Sequence, residues 1–151
     1  MKVGIRTADE VDLPRIVELL AALTEDEAPA DRGTPLPYSY HMAFRRMMES
    51  QGQFVLVAEY RKRIVGTLVL IIVPNLSHRG SPWAAIENVV IEEKHRGKGI
   101  AAALIRRAEE LARENGCYKL VLTSNRRRTE AQRFYRRLGF KTTHNAYRIN
   151  L

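Results

Sequence analysis

The segment Ile86-Glu-Asn-Val-Val-Ile-Glu-Glu-Lys-His-Arg-Gly-Lys-Gly-Ile-Ala101, with the apolar stripe after it, constrains this chain more than any other feature. Val89, Val90 and Ile91 are β-branched, consecutive and too few for a helix, so they predict a buried strand. Polar residues Glu92 to His95 lead into Arg96-Gly97-Lys98-Gly99, after which Ile100, Leu104, Ala108 and Leu111 recur at helical spacing. A strand therefore runs through a short glycine turn into a helix. The first turn of that helix carries backbone amides with no intrahelical partner and the positive end of the helix dipole. Glycine lets such a backbone turn sharply and approach a ligand closely. Arg96 and Lys98 add full positive charge beside the same amides. The combination suits a phosphate or pyrophosphate.

The rest of the chain supplies an ordered series of elements. Val3–Thr7 predicts a first strand, and Leu13, Ile16, Val17, Leu20 and Leu23 mark a helix entered through Ala8-Asp9-Glu10. Residues 24–37 have turn composition and no period. A second helix is expected around Tyr40–Glu49, with Phe44, Met47 and Met48 inward. Gln53–Tyr60 and Arg63–Val73 are the clearest strands, and the two residues between them predict an antiparallel hairpin. Residues 74–82 form a loop before the strand beginning at Trp83. The long helix should stop near Asn115-Gly116. Tyr118–Thr123 is then a strand parallel to its predecessor, because a helix joins them. Ala131, Phe134, Tyr135 and Leu138 share one face of a short helix, and residues 140–143 and 146–151 are expected as two last strands. No linker or repeat divides the chain, so residues 1–151 are expected to form a single domain.

Arg96-Gly97-Lys98-Gly99-Ile100-Ala101 resembles the [Gln/Arg]-x-x-Gly-x-[Gly/Ala] signature of the GNAT superfamily, the acetyl-CoA-dependent N-acetyltransferases. It lacks the Gly-Lys-Ser/Thr ending of a nucleoside-triphosphate loop and the spacing of a dinucleotide fingerprint. The element order β-α-α-β-β-β-α-β-α-β-β is also that of the superfamily. The resemblance implies an α/β (α+β) fold, with a mixed central sheet of six to seven strands and flanking helices. It implies acetyl-CoA as donor, its pyrophosphate on the amides of Arg96 to Ala101. The pantetheine arm would lie along the backbone of Val89, Val90 and Ile91, where two parallel strands splay apart. Asn125 matches a position that often contacts this cofactor, although a turn or capping role suits it as well.

Acetyl transfer to an amine needs a held donor, a polarised carbonyl, a neutral amine and a proton for the leaving thiolate. Phe134-Tyr135 with Leu138-Gly139-Phe140 resembles the Phe-Tyr-x-x-x-Gly-Phe segment of the superfamily, which makes Tyr135 the candidate acid. A tyrosine, with its ordinary pKa of about 10, is protonated at neutral pH. The alternative is a core tyrosine on the apolar face of its helix. Glu87 is the candidate on the amine side, because strand alternation puts Glu87, Val89 and Ile91 on one face. It could take a proton from the ammonium or pair with it; a solvent-facing charge at a strand end is the plain alternative. Ile86–Ile91 resembles the corresponding stretch of glucosamine-phosphate acetyltransferases, which carry a glutamate there. Residues 124–132 resemble aminoalkylphosphonate acetyltransferases, except that Gln132 stands where that branch commonly has histidine. Asn88, Glu92, Glu93 and His95 are weaker candidates, His95 reading as a surface residue.

These features favour a primary amine on a small molecule, attacking directly in a ternary complex. The last two strands are joined only by His144-Asn145, too short for a flap that grips a polypeptide. A protein or peptide acceptor would use Glu25, Asp26, Glu27 and Asp31 as an acidic channel, or those residues are simply a solvated loop. A non-catalytic acetyl-CoA sensor or a nucleic-acid-binding regulator is suggested only by scattered basic runs in a chain of net charge +8. Such scatter mostly means solvated faces and carries no recognition-helix signature, so no specific nucleic acid is expected. Cys117 is the only cysteine and has no activating neighbour in the sequence, and the four histidines have no metal-binding spacing. No metal is therefore expected. The absence of an apolar leader or membrane-length run, with a single cysteine, points to the cytoplasm without membrane attachment. A homodimer is left open.

Overall fold

The computed structural model describes residues 2–23 and 35–151. The acidic residues Glu25, Asp26, Glu27 and Asp31 lie outside the described residues. The chain forms two compact units, Met1–Val121 and Leu122–Leu151. Strands β1 (Gly4–Thr7), β2 (Gln53–Tyr60), β3 (Arg63–Val73), β4 (Trp83–Ile91) and β5 (Leu120–Leu122) make one sheet in that order. The first four are successively antiparallel. The β2–β3 hairpin turns on Arg61 and Lys62, both left-handed with φ of 49° and 62°, the conformation that a two-residue turn between twisted strands favours. Beside β4, the Tyr118 amide donates to the Pro82 carbonyl and the Ala84 amide donates to that of Lys119. These bonds advance in the same direction along both segments, as between parallel strands.

Helix α1 (Leu13–Leu20) is flanked by single 3-10 turns at Glu10–Asp12 and Ala21–Leu23. It is followed by α2 (Tyr38–Glu49), the single turn α3 (Ser77–Gly80), α4 (Ile100–Glu114) and α5 (Thr129–Arg137). One sheet face presents Val55, Val57, Val69 and Val90 to Leu13, Ile16 and Val17 of α1 and Phe44 of α2. Met47 packs against this cluster, but Met48 is exposed, contrary to expectation; the apolar stripe of α2 is too narrow to bring both residues inward. The other face receives α4, whose Ile100, Leu104, Ile105 and Ala108 are buried. Arg6 fixes the entry to α1, donating to Asp12 at 2.7 and 3.0 Å and to Glu59 on β2 at 3.0 Å. The Arg6 hydrogen bonds hold the Asp12 carboxyl below its usual range against the effect of burial.

Two expectations are corrected. The sheet has five strands among the described residues rather than six to seven, because 140–151 contains none. Alternation in Tyr147, Ile149 and Leu151 gives a strand only with a neighbouring ladder, and here all three side chains are exposed. The alternation within β4 is also interrupted. Glu87 pairs with Val69 and Val90 with Thr67, so Asn88 and Val89 together face Leu68. This is a β-bulge, and Asn88 takes the left-handed conformation with φ 56°. Beyond it the faces exchange: Glu87 shares a face with Val90, and Ile91 points to the α4 side, where its Cδ1 borders Gly66 together with that of Leu104.

The close approach at Gly66 is a specific requirement. A Cβ there would lie 2.5 Å from Ile91 Cδ1 and 3.2 Å from the Val90 carbonyl oxygen. Gly66→Val should destabilise the fold by about 2 kcal/mol through overpacking, read as a lower urea midpoint at unchanged m-value.

Candidate active site

At the C-terminal end of β4 the chain leaves the sheet through Glu92 and a 3-10 turn at Glu93–His95, then opens into an exposed loop, residues 96–99. Gly97 and Gly99 are left-handed at φ 71° and 78°, and a Cβ on either would meet open space. Gly99 is the N-cap of α4, whose first internal bond runs from the Ala103 amide to the Gly99 carbonyl at 3.0 Å. The amides of Gly99, Ile100, Ala101 and Ala102 precede that bond, so they are the orphan donors of the helix start. Arg96 Nε donates to the Ile91 carbonyl and Lys98 Nζ to that of Lys94, leaving both charges without a carboxylate partner among the described residues. Exposed amides, glycines that leave space, and unpaired cations fit a pyrophosphate.

The turn before this loop rests on a partly buried charge cluster that sequence reasoning missed. Glu92 accepts from Arg15 of α1 at 2.6 Å and from Arg63 at 3.0 Å, with Lys94 at 3.7 Å. Its other oxygen meets His95 Nδ1 at 2.7 Å. Burial opposes the charge on Glu92, but the bonds from Arg15 and His95 and the charges of Arg15 and Arg63 outweigh it, so its pKa lies below the usual range. His95, expected at the surface, is buried, with its ring edge-on to Tyr60 at 5.8 Å. Nothing local signals this, because Tyr60 and Arg15 are remote in sequence.

The bulge at Asn88 puts two consecutive residues of β4 opposite one of β3, so one residue's backbone groups drop out of the ladder. Asn is among the few residues that tolerate this conformation, the one sequence clue to the bulge. Before it, Trp83, Ala85 and Glu87 alternate onto the face that carries α1 and α2, as their partners Val73, Ile71 and Val69 show. Glu87 is exposed. At the N-terminal end of β4, Lys119 Nζ lies 5.6 Å from the Trp83 ring centre and 5.4 Å from that of Tyr118. Tyr118 stacks on His78 at 3.8 Å. His78 and Arg79 are left-handed non-glycine residues, with φ of 52° and 58°. Neither Arg79 nor Lys119 has a carboxylate partner among the described residues. This basic and aromatic cluster was also missed, since its members come from three separate segments.

In the unit Leu122–Leu151, Tyr135 is half-buried between Phe134, at 5.3 Å, and Phe140, at 6.0 Å. Burial pushes its phenol above the ordinary value, and the nearby charge of Arg128 only partly offsets this. Asn125 Oδ1 accepts from the Arg127 amide at 2.9 Å, a local turn bond, while Gln132 Nε2 donates to the carbonyls of Asn125 and Arg126. Ser124 Oγ is buried without a hydrogen-bond partner among the described residues. In the larger unit, burial raises the Cys117 thiol, the opposite of what activates a nucleophile. No helix among the described residues is long and apolar enough to cross a membrane.

The model of the acetyltransferase (GNAT) family matches residues 17–140. A glucosamine 6-phosphate N-acetyltransferase of Trypanosoma brucei brucei is 34% identical over 147 residues, covering 97% of this chain and 95% of that protein. A crystal structure of an acetyltransferase from Trypanosoma brucei has TM-score 0.83 and 31% identity, over 99% of this chain and 100% of the other. One described as a transcriptional regulator from Bacillus halodurans C-125 has TM-score 0.92 and 36% identity, over 99% and 100%.

Proposed function

The chain belongs to the acetyltransferase (GNAT) family, and from that premise we propose that its acceptor is the primary amine of a small molecule that also bears an anionic group, such as a phosphorylated amino sugar. The observation that carries this is one face of β4. Glu87 stands toward its middle, and Trp83, four residues earlier, reaches the Lys119 and His78 cluster. At about 3.3 Å per residue the two positions are about 13 Å apart. A carboxylate suits the ammonium end of such an acceptor, and unpaired cations suit its anion. The Trypanosoma brucei brucei relative, described as acting on glucosamine 6-phosphate, supports the same class.

Acetyl-CoA, the acyl donor of this family, supplies an activated acetyl thioester. In our reading the amides of residues 97–101, with Arg96 and Lys98, hold its pyrophosphate. The backbone of Val89, next to the bulge, and of Val90 and Ile91, which stay paired with Thr67 and Gly66 on the β3 side, lines the pantetheine arm from the opposite edge of β4. Glu87 either holds the ammonium by its charge until the amine loses its proton to water, or accepts that proton itself; in both cases the neutral amine attacks directly. Tyr135 donates its phenolic proton to the departing sulfur, and the upward shift of its pKa keeps that proton available. The side-chain oxygen of Asn125 is engaged in its own turn, so any contact with the cofactor falls to its amide nitrogen. We read residues 1–151 as one catalytic domain working in the cytoplasm. The exposed alternation of Tyr147, Ile149 and Leu151 supports a homodimer built on the C-terminal segment. Light scattering should give twice the chain mass, and the monomer mass once the last five residues are removed.

The acceptor reading is tested by thiol release from acetyl-CoA with paired acceptors, glucosamine and glucosamine 6-phosphate. Lys119→Met should raise KM roughly 10-fold for the phosphorylated acceptor, the scale of one charge-assisted bond, and leave the neutral one unchanged. Glu87→Gln should slow both. Gly99→Asp should abolish donor binding by placing a charged side chain on a left-handed residue of the anion site. Equal use of both acceptors by wild type and Lys119→Met would remove the anionic group from the proposal, and turnover only with peptides would replace it with a peptide acceptor.

Tyr135→Phe keeps the ring between Phe134 and Phe140 and removes only the hydroxyl. It should lower kcat roughly 10²-fold with acetyl-CoA affinity unchanged. Because burial raises the phenol, wild-type kcat should show no alkaline loss from this group below pH of about 10. Unchanged turnover in Tyr135→Phe would return that residue to the core.

A further inference from the structure

An amide cradle binds an anion well only if its N–H groups are held in direction, yet residues 96–99 are exposed and contain two left-handed glycines. Downstream the loop is pinned by α4, whose Ile100 and Leu104 are buried. Upstream it depends on the turn 92–96. The His95 amide donates to the Glu92 carbonyl at 2.8 Å, the Arg96 amide to the Glu93 carbonyl at 3.1 Å, and the Glu92 amide to Val65 on β3 at 2.8 Å. The side chains close the turn a second time, through His95 Nδ1 and Glu92 Oε2 at 2.7 Å.

We propose that Glu92 and His95 are positioning residues for the acetyl-CoA site: with Arg15 as anchor on α1, they fix the direction in which the loop presents its amides. The inference rests on the donor site proposed above. Three features favour it over a purely structural role. The first is that a partly buried ion-pair cluster is a weak source of stability, since apolar side chains of similar volume serve as well or better; what it adds is a fixed geometry. The second is that the sheet does not need it, because the backbone bond from Glu92 to Val65 survives loss of either side chain. The third is that a carboxylate next to an anion site is unfavourable unless neutralised, and Arg15, Arg63 and Lys94 all surround this one. The cluster therefore leaves the loop in a positive field while supplying an acceptor that aims the His95 ring. Arg15 also donates from Nε to the Ile64 carbonyl at 3.0 Å, so the anchor is tied to β3 as well as to α1.

The test is calorimetric titration of the full chain with acetyl-CoA, alongside steady-state kinetics and thermal melting, for wild type, His95→Phe, His95→Asn and Glu92→Gln. Phe keeps an aromatic ring against Tyr60 and removes the donor, whereas the amide nitrogen of Asn stands in for Nδ1. His95→Phe should weaken acetyl-CoA binding roughly 10-fold, the scale of one hydrogen bond to a charged group. Its kcat at saturating donor and its KM for the amine should stay near wild type. His95→Asn should recover most of the affinity, and His95→Phe combined with Glu92→Gln should bind no more weakly than the worse single variant, as members of one unit do. Should His95→Phe fail to fold, Glu92→Gln alone carries the same expectation. A lower melting temperature with unchanged affinity would overturn the proposal, as would equal losses in kcat and donor affinity. Failure of the wild type to bind acetyl-CoA would instead overturn the donor site itself, a distinct outcome.

Discussion

The bulge at Asn88 and Val89 is the constraint on which the rest of the arrangement depends. β4 has to pack on both faces, with Val90 against α1 and α2 and Ile91 against α4. A perfectly paired strand would have every amide and carbonyl that points toward β3 committed to it. One extra residue changes this, because it removes a peptide unit from the ladder and resets which side chains face each layer of the core. It also fixes where the polar residues go. Glu87 and Trp83 fall on one face because the alternation is intact before the bulge, and Ile91 falls on the other because it is reset after it.

The same logic governs the end of the strand. Glu92 is the first residue past β4, and its carboxylate gathers groups from α1, from the start of β3 and from the following turn. The sheet, α1 and the glycine loop thus meet at one carboxylate. The cluster sits where a strand hands over to a helix, and a small change in angle there would be carried into every amide at the start of α4.

The strand, glycine turn and helix were legible because each depends on local pattern: β-branched residues, two glycines and an apolar stripe at helical spacing. The same holds for the hairpin at Arg61-Lys62, where two long apolar, β-branched runs leave only two residues between them. What was not legible depends on contacts between distant segments. A single asparagine inside an apolar run marks the bulge only weakly, so uninterrupted alternation placed Ile91 on the wrong face. His95 reads as a loop residue until Tyr60 and Arg15 arrive beside it. The Trp83, Tyr118, Lys119 and His78 group is assembled from three segments and has no spacing at all. The two last strands failed for the complementary reason: alternation in 146–151 is real, but a strand is a property of two neighbours, and only one was visible.

The net charge of +8 shows how structure resolves what composition leaves mixed. Arg6, Arg15, Arg63, Arg107 and Arg113 are spent in ion pairs with carboxylates, and they serve the fold or a helix surface. Many other basic groups simply face water, so lack of a partner alone distinguishes nothing. Two places differ from that background. At Arg96 and Lys98 the charges flank amides that the helix start leaves unpaired, and at Lys119 the ammonium is held between aromatic faces beside a strained turn. In both, the surroundings restrict where an anion would sit, which is what separates a binding group from a solubilising one. The two places lie at opposite ends of β4, with Glu87 and the bulge between them. In the proposed reading, a donor with a pyrophosphate at one end and an acceptor with an anion at the other would meet toward the middle of one strand, each held by the end remote from the reacting atoms, beside the stretch of β4 where its ladder with β3 is interrupted.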